Sequence, residues 1–271
     1  MKEEKEEQIL KCLQLILIPG LGPVTHNQLL NACGSLDECF LMGEDEIMSA
    51  YAGRQEKTGL SRSRIKKFVD LRYNDEYADR AKLILEECIR KDISVITRLD
   101  EKYPVRFNGI SDMPIVLFAG GHLKINQFDL SVCIVGARRC SQEGKATAIR
   151  MAQEAVGRCG AVVSGMAKGI DSYAQTAALK SGGYTIAVLG NGPDICYPKE
   201  HQALYEQIRI QGCVLSEYPP GTMPQRYMFP VRNRLMAALS DEICVIEASS
   251  RSGTMSTVDS GKEYERKLIF I

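Results

Sequence analysis

The 271-residue chain has no tryptophan, only three histidines, no Cys-x-x-Cys pair and no net charge, its 34 basic side chains matching 34 acidic ones. Each shortage excludes something. Ten cysteines scattered without ligand spacing, several inside apolar runs (Cys133, Cys213, Cys244), read as small buried hydrophobes in a reducing cytosol. They predict neither a disulfide framework nor a zinc site, so no metal and no cofactor are expected. A net charge of zero gives the whole molecule no attraction to nucleic acid or acidic membranes. The longest early apolar run, Leu15 to Ile18, stops at Pro19-Gly20, far short of the ~20 residues that span a bilayer. The acidic opening Met-Lys-Glu-Glu-Lys-Glu-Glu is unlike a signal or transit peptide. With 45% hydrophobic and 25% charged residues, a folded, soluble, cytosolic protein of one large or two modest domains is predicted.

Two textures divide the chain. Residues 1–90 read as helices, with apolar positions at helical spacing over 6–18 and 74–91 and breaks at Gly53 and at Gly59-Leu60-Ser61. Leu15-Ile-Leu-Ile-Pro19-Gly20-Leu21-Gly22-Pro23 followed by Leu29-Leu30 looks like a helix-hairpin-helix (SAM-like) element, whose glycine amides can meet a DNA phosphate without reading sequence. Packing or partner docking is the alternative use of such a domain, and both readings stay open. From residue 91 to 271, short β-branched runs alternate with helical stretches. Strands are expected at 131–135, 161–163, 184–189, 213–215, 243–247 and 268–271, with helices between them. Strand and helix repeated in this way require crossovers that fill both faces of a parallel sheet. The expected fold is therefore α/β: an extended Rossmann-like, doubly wound parallel sheet preceded by a small all-helical domain.

In such a sheet, ligands bind at the carboxyl ends of the strands, where turns feed helix N-termini. Five turns qualify. Gly136-Ala137-Arg138-Arg139-Cys140-Ser141 lacks the glycine spacing of a dinucleotide site, but offers two arginines and an N-cap serine before a helix. Ser164-Gly165-Met-Ala-Lys168-Gly169-Ile-Asp171 supplies two glycines and a lysine for an anion, with Asp171 as N-cap. Gly190-Asn191-Gly192-Pro193 reads as turn chemistry. Lys199, after Tyr197-Pro198, is a cation at a helix start, where it opposes the dipole. Ser216 to Arg234 is a proline-stiffened loop carrying Tyr218, Tyr227, Phe229, Arg226, Arg232 and Arg234. Interleaved rings and guanidiniums suit single-stranded nucleic acid. The alternative is a core Phe229 with arginines paired to Glu217 or Glu247. Ser252-Gly253-Thr254 forms the last anion turn.

Charge distribution separates these readings. Residues 131–239 hold 12 Lys/Arg against 7 Asp/Glu, a local net of +5, so the neutral total conceals a basic face.

The ordered motifs resemble the DNA-processing protein A (DprA/Smf) family. They run from Tyr103-Pro104 and Pro114-Ile-Val-Leu-Phe118 through Val135-Gly-Ala-Arg138, Ser164-Gly-Met-Ala-Lys-Gly-Ile-Asp171 and Gly183 to Gly190. Tyr197-Pro198, Ser216-Glu-Tyr-Pro219, Phe229-Pro-Val-Arg-Asn-Arg234, Glu247 and Ser252-Gly253-Thr254 complete the series. The resemblance implies a Rossmann-like domain that binds single-stranded DNA without catalysis, forms a homodimer and delivers DNA to a RecA-type recombinase in natural transformation. It implies DNA contacts at Arg138, Lys199, Phe229, Arg232 and Arg234, with Arg139 and Lys168 beside them. Gln175 stands where the family usually has histidine, and the segment from Ser256 to Gly261 is more polar than the family's Ala-rich helix. The family also usually continues with Pro-Gly beyond the strand that holds Ile271, the feature on which the expectation of a homodimer bears. The rival class is a nucleotide-binding or nucleotide N-glycosidase-type Rossmann enzyme using Glu247 or Glu217; a small-ligand sensor using the same cleft is a third reading.

Overall fold

The structure, a computed structural model, describes residues 2–52, 59–249 and 252–271; the break expected at Gly53 lies outside them. The chain forms two compact units.

The first comprises residues 1–90 with 95–100 and 111–116. Its helices are α1 (Lys2–Leu17), α2 (Pro23–Cys33), α3 (Leu36–Leu41), α4 (Glu44–Tyr51), α5 (Arg62–Leu71) and α6 (Asp75–Arg90). The hairpin expected between α1 and α2 is formed. Gly20 takes φ +78°, Leu21 is buried as its anchor, and Pro23 opens α2, where its missing N–H costs nothing. Ser35 and Ser61 cap α3 and α5 by accepting from the Glu38 and Arg64 amides. Asn27 ties residues 111–116 into this unit, its Nδ2 donating to the carbonyls of Ser111 (3.1 Å) and Met113 (2.7 Å).

The second comprises residues 91–94, 101–110 and 117–271. The strands of the chain are β1 (Ser94–Thr97), which falls largely in the first unit, and β2 (Val116–Gly121), β3 (Ser131–Gly136), β4 (Ala161–Ser164), β5 (Tyr184–Val188), β6 (Cys213–Ser216), β7 (Glu242–Ile246) and β8 (Lys267–Phe270) of the second. They lie in one sheet in the order β1-β2-β6-β5-β4-β3-β7-β8. Strands β3 to β8 pair in parallel and alternate with α7 (Gln142–Gly157), α8 (Ile170–Lys180), α9 (Gln202–Gln211), α10 (Met228–Ala238) and α11 (Met255–Glu263).

Side-chain alternation distributes the helices over both faces. Val132 and Ile134 of β3, with Cys244 and Ile246 of β7, pack against Ala148, Ala152, Ala174 and Ala178 of α7 and α8. Ile243, of opposite parity to Cys244, instead meets α11, where a Cβ on Gly261 would come 2.5 Å from the Ile243 side chain.

The sheet departs from the expected one in one respect. Strands β1 and β2 are additional to those expected, and β2 runs antiparallel to β6, with Phe118 opposite Ser216. The run Ile115–Ala119 is apolar and wholly buried, so it shows no alternation, and its direction is set by its partner rather than by its composition.

His26, in the first turn of α2, is buried, and neither ring nitrogen has a hydrogen-bond partner among the described residues. Burial dominates the nearby carbonyls of Leu21 and Leu15 and lowers its pKa from 6.5 to about 4. The unfolded chain therefore takes up a proton below pH 6.5 that the folded chain resists until about pH 4. Stability held above pH 6.5 is lost as pH falls through this window, by a few kcal/mol in all. In urea titrations from about pH 7 to 4, His26→Leu should show a shallower decline in unfolding midpoint than the parent. Equal slopes would refute the assignment.

Candidate nucleic-acid interface

Because β3 to β7 are parallel, the turns that follow them share one edge of the sheet. Hydrogen bonds make the first three contiguous. The Ile170 amide donates to Ala137 O (3.2 Å), and His201 Nδ1 lies 2.9 Å from Met166 O. Gly169 has φ +79°, and an added Cβ would sit 2.3 Å from Ala137 O and 2.7 Å from Arg138 O. Only glycine permits that conformation and that approach. Gly136 packs likewise against Ile246 O, 2.0 Å from where a Cβ would be.

In the first two turns, backbone amides expected to cradle an external anion are already occupied by carboxylates. Ser141 caps α7, accepting from the Gly144 amide at 2.9 Å. Its own N–H and hydroxyl both donate to the Glu247 carboxylate, the amide at 2.8 Å. These bonds hold the Glu247 carboxyl below the usual carboxylate range. Glu247 has φ +51°, uncommon outside glycine, and a Cβ on Gly144 would lie 2.5 Å from its carboxyl carbon. The second turn repeats the arrangement. Asp171 lies inside the first turn of α8, not at its N-cap, which is Gly169, and accepts from the Gly165 amide at 3.1 Å. Burial raises the Asp171 pKa, opposed by Arg232 and the bond from Gly165. In the fifth turn the Thr254 hydroxyl donates to Gly136 O (3.2 Å), Gly253 O accepts from Asn233 Nδ2 (3.0 Å), and Ser252 Oγ is buried without a partner among the described residues. Ser250 and Arg251 lie outside the described residues.

The cations fall into two groups. Arg138, Arg139, Lys168 and Lys199 are exposed. Of these, Lys168 pairs with the exposed Glu200, and that bond lowers the Glu200 pKa. Arg232 and Arg234 are interior. Arg232 is only 5% exposed; it donates to Gly165 O (2.9 Å), to Val188 O and to Asn233 Oδ1 (3.1 Å). Burial lowers its pKa to about 10, with Asp171 opposing the shift. Arg234 binds Glu217 at 2.5 Å, both side chains largely shielded. Arg234 thus makes the ion pair to Glu217 that the core alternative named, whereas Arg232 meets strand-end carbonyls and neither Glu217 nor Glu247; a phosphate contact would require both to leave these partners.

Phe229 is half-buried. Its ring lies 5.4 Å from that of Tyr197 at an interplanar angle of 30°, with the Arg232 guanidinium carbon 6.0 Å from its centroid. A Cβ on Gly190 would come within 2.9 Å of it. Arg226 and Tyr227 are exposed, and Tyr218 is half-buried. Lys199 lies in a single 3-10 turn (Lys199–His201) ahead of α9, rather than in α9 itself. Gln175 is buried, its Nε2 donating to Thr185 Oγ1 (3.2 Å) and Ile186 O (3.3 Å).

Sequence reasoning did not place Tyr197 against Phe229, Glu200 against Lys168 or Glu247 against Ser141. The Tyr-Pro dipeptide is visible in the sequence, but its contact with a ring 32 positions later is not. Among the described residues, no group of three or more His, Cys, Asp or Glu could hold a metal ion, and no helix is long and apolar enough to cross a membrane.

The chain is similar to known proteins. The DNA processing protein DprA of Streptococcus pneumoniae is 41% identical over 173 residues, covering 64% of this chain and 61% of that protein. Protein Smf of Synechocystis is 39% identical over 185 residues, covering 67% of this chain and 46% of that one. The matches thus span between about half and three-fifths of these relatives' length. The X-ray structure of the pneumococcal protein superposes with a TM-score of 0.75 at 29% identity, covering all of this chain and 86% of that one. DNA processing protein A from Helicobacter pylori, solved in a study of its single-stranded DNA binding mode, gives a TM-score of 0.60 at 32% identity over 66% of this chain and 80% of that one. The family model for DNA recombination-mediator protein A matches residues 94–271, and the chain belongs to that family.

Proposed function

We propose that this protein binds single-stranded DNA along the carboxyl edge of its parallel strands and does no chemistry on it. The observation that carries this reading is the exposed row Arg138, Arg139, Lys168 and Lys199 on contiguous turns, beside the rings of Tyr197 and Phe229. Long cationic side chains neutralise phosphates without selecting bases, while an adjoining aromatic surface favours strands whose bases are unpaired. The binding mode studied for the Helicobacter pylori relative supports the same partner. Delivery of the strand to a RecA-type recombinase, and action as a homodimer, extend this reading; the family's description as a recombination mediator supports the first.

The enzymatic alternative needs a carboxylate free to stabilise a ribosyl cation. Glu247 is spent on Ser141 and Glu217 on Arg234, which favours binding over hydrolysis.

Two variants separate contact from support. Arg138→Ala/Lys199→Ala should weaken oligothymidine binding and reduce the slope of log K against log salt by about 1 to 1.5, since each single-strand phosphate contact contributes about 0.7. An unchanged slope in anisotropy titrations would show the phosphates lie elsewhere. Arg232→Met should instead lower the unfolding free energy measured in urea by about 3 kcal/mol or more, because Asp171 and two strand-end carbonyls lose their buried partner. An Arg232→Met protein of parental stability would overturn the supporting role.

A further inference from the structure

We infer that Tyr197 is the ring on which an unpaired base stacks, and that Phe229 is the positioning residue that fixes its plane. This rests on the single-strand reading above and refines it. An aromatic platform for a base needs a face open to solvent and a plane held still from behind.

Phe229 fails the first condition. It is half-buried, with Gly190 close enough that a Cβ would reach within 2.9 Å of its ring, the buried Arg232 beside it and Tyr197 against it. Its neighbours are fixed in turn, since Arg232 is bonded to the carbonyls of Gly165 and Val188. Tyr197 meets both conditions. It is 45% exposed, although a large aromatic side chain gains most by burial. Its ring lies against Phe229 at 5.4 Å and 30°. Pro198 follows it, and the exposed Lys199 comes next, placing a cation two residues from the ring.

A strand whose phosphate is held at Lys199 therefore has an adjacent base within reach of the phenol. Duplex DNA has no free base face to offer, whereas any unpaired base does. The ring step thus adds a preference for single strands that is indifferent to sequence.

The chain has no tryptophan, so Tyr197→Trp makes a single indole reporter in these 271 residues. Titration with oligothymidine should quench that emission in step with binding measured by anisotropy of the labelled strand. An abasic oligonucleotide of equal length should bind about tenfold more weakly and leave the emission unchanged. Tyr197→Ala should lose about tenfold in affinity at an unaltered salt slope, and Tyr197→Phe should restore it. Phe229→Leu should reduce the quench at saturation by loosening the ring's plane. Full binding without quenching, or parental affinity in Tyr197→Ala, would overturn this inference alone. Failure of the parent protein to bind any oligonucleotide would overturn both it and the reading on which it rests.

Discussion

The buried guanidinium of Arg232 is the interaction on which the proposed binding edge depends. Parallel strands end in carbonyls that the sheet does not satisfy, and those at the ends of β4 and β5 need donors from elsewhere. Arg232, on α10, supplies donors to both. Placing a cation there needs compensation, and Asp171 provides it from the first turn of α8. The same residue passes beside Phe229, which lies against Tyr197. One side chain therefore joins two strand ends, a helix start and the aromatic step.

Around this centre the molecule fills its own anion sites. Helix N-termini attract carboxylates, and here Glu247 binds the Ser141 amide at the start of α7, while Asp171, in the first turn of α8, binds the Gly165 amide in the turn that precedes it. On the proposed reading, a DNA phosphate approaching these two turns would meet occupied amides at Ser141 and Gly165, leaving attraction to the exposed side chains of Arg138, Arg139, Lys168 and Lys199. This arrangement suits a strand that must be held at many phosphates and released, because contacts through exposed cations are weak singly and sensitive to salt.

The alternation of strands and helices after residue 130 was legible because parallel strands buried on both faces read as unbroken β-branched runs between glycine turns. The carboxyl edge followed from topology alone, and the basic segment hidden in a neutral total from the charge count over residues 131–239. Direction was not legible in β2, whose apolar run carries no alternation. Nor could sequence divide the arginines. Arg138 and Arg232 look alike on paper, yet one projects from a turn and the other is buried on a helix beside Asp171. Long-range pairings such as Tyr197 with Phe229 and Glu247 with Ser141 join positions 32 and 106 residues apart, and nothing local announces them.

Photo-crosslinking tests the central claim most directly. A single-stranded oligonucleotide carrying 5-iododeoxyuridine should, on irradiation with the 271-residue protein, form its main adduct on the peptide that contains Tyr197, and high salt should abolish it. A main adduct confined to residues 1–90, or one that survives high salt unchanged, would contradict the account.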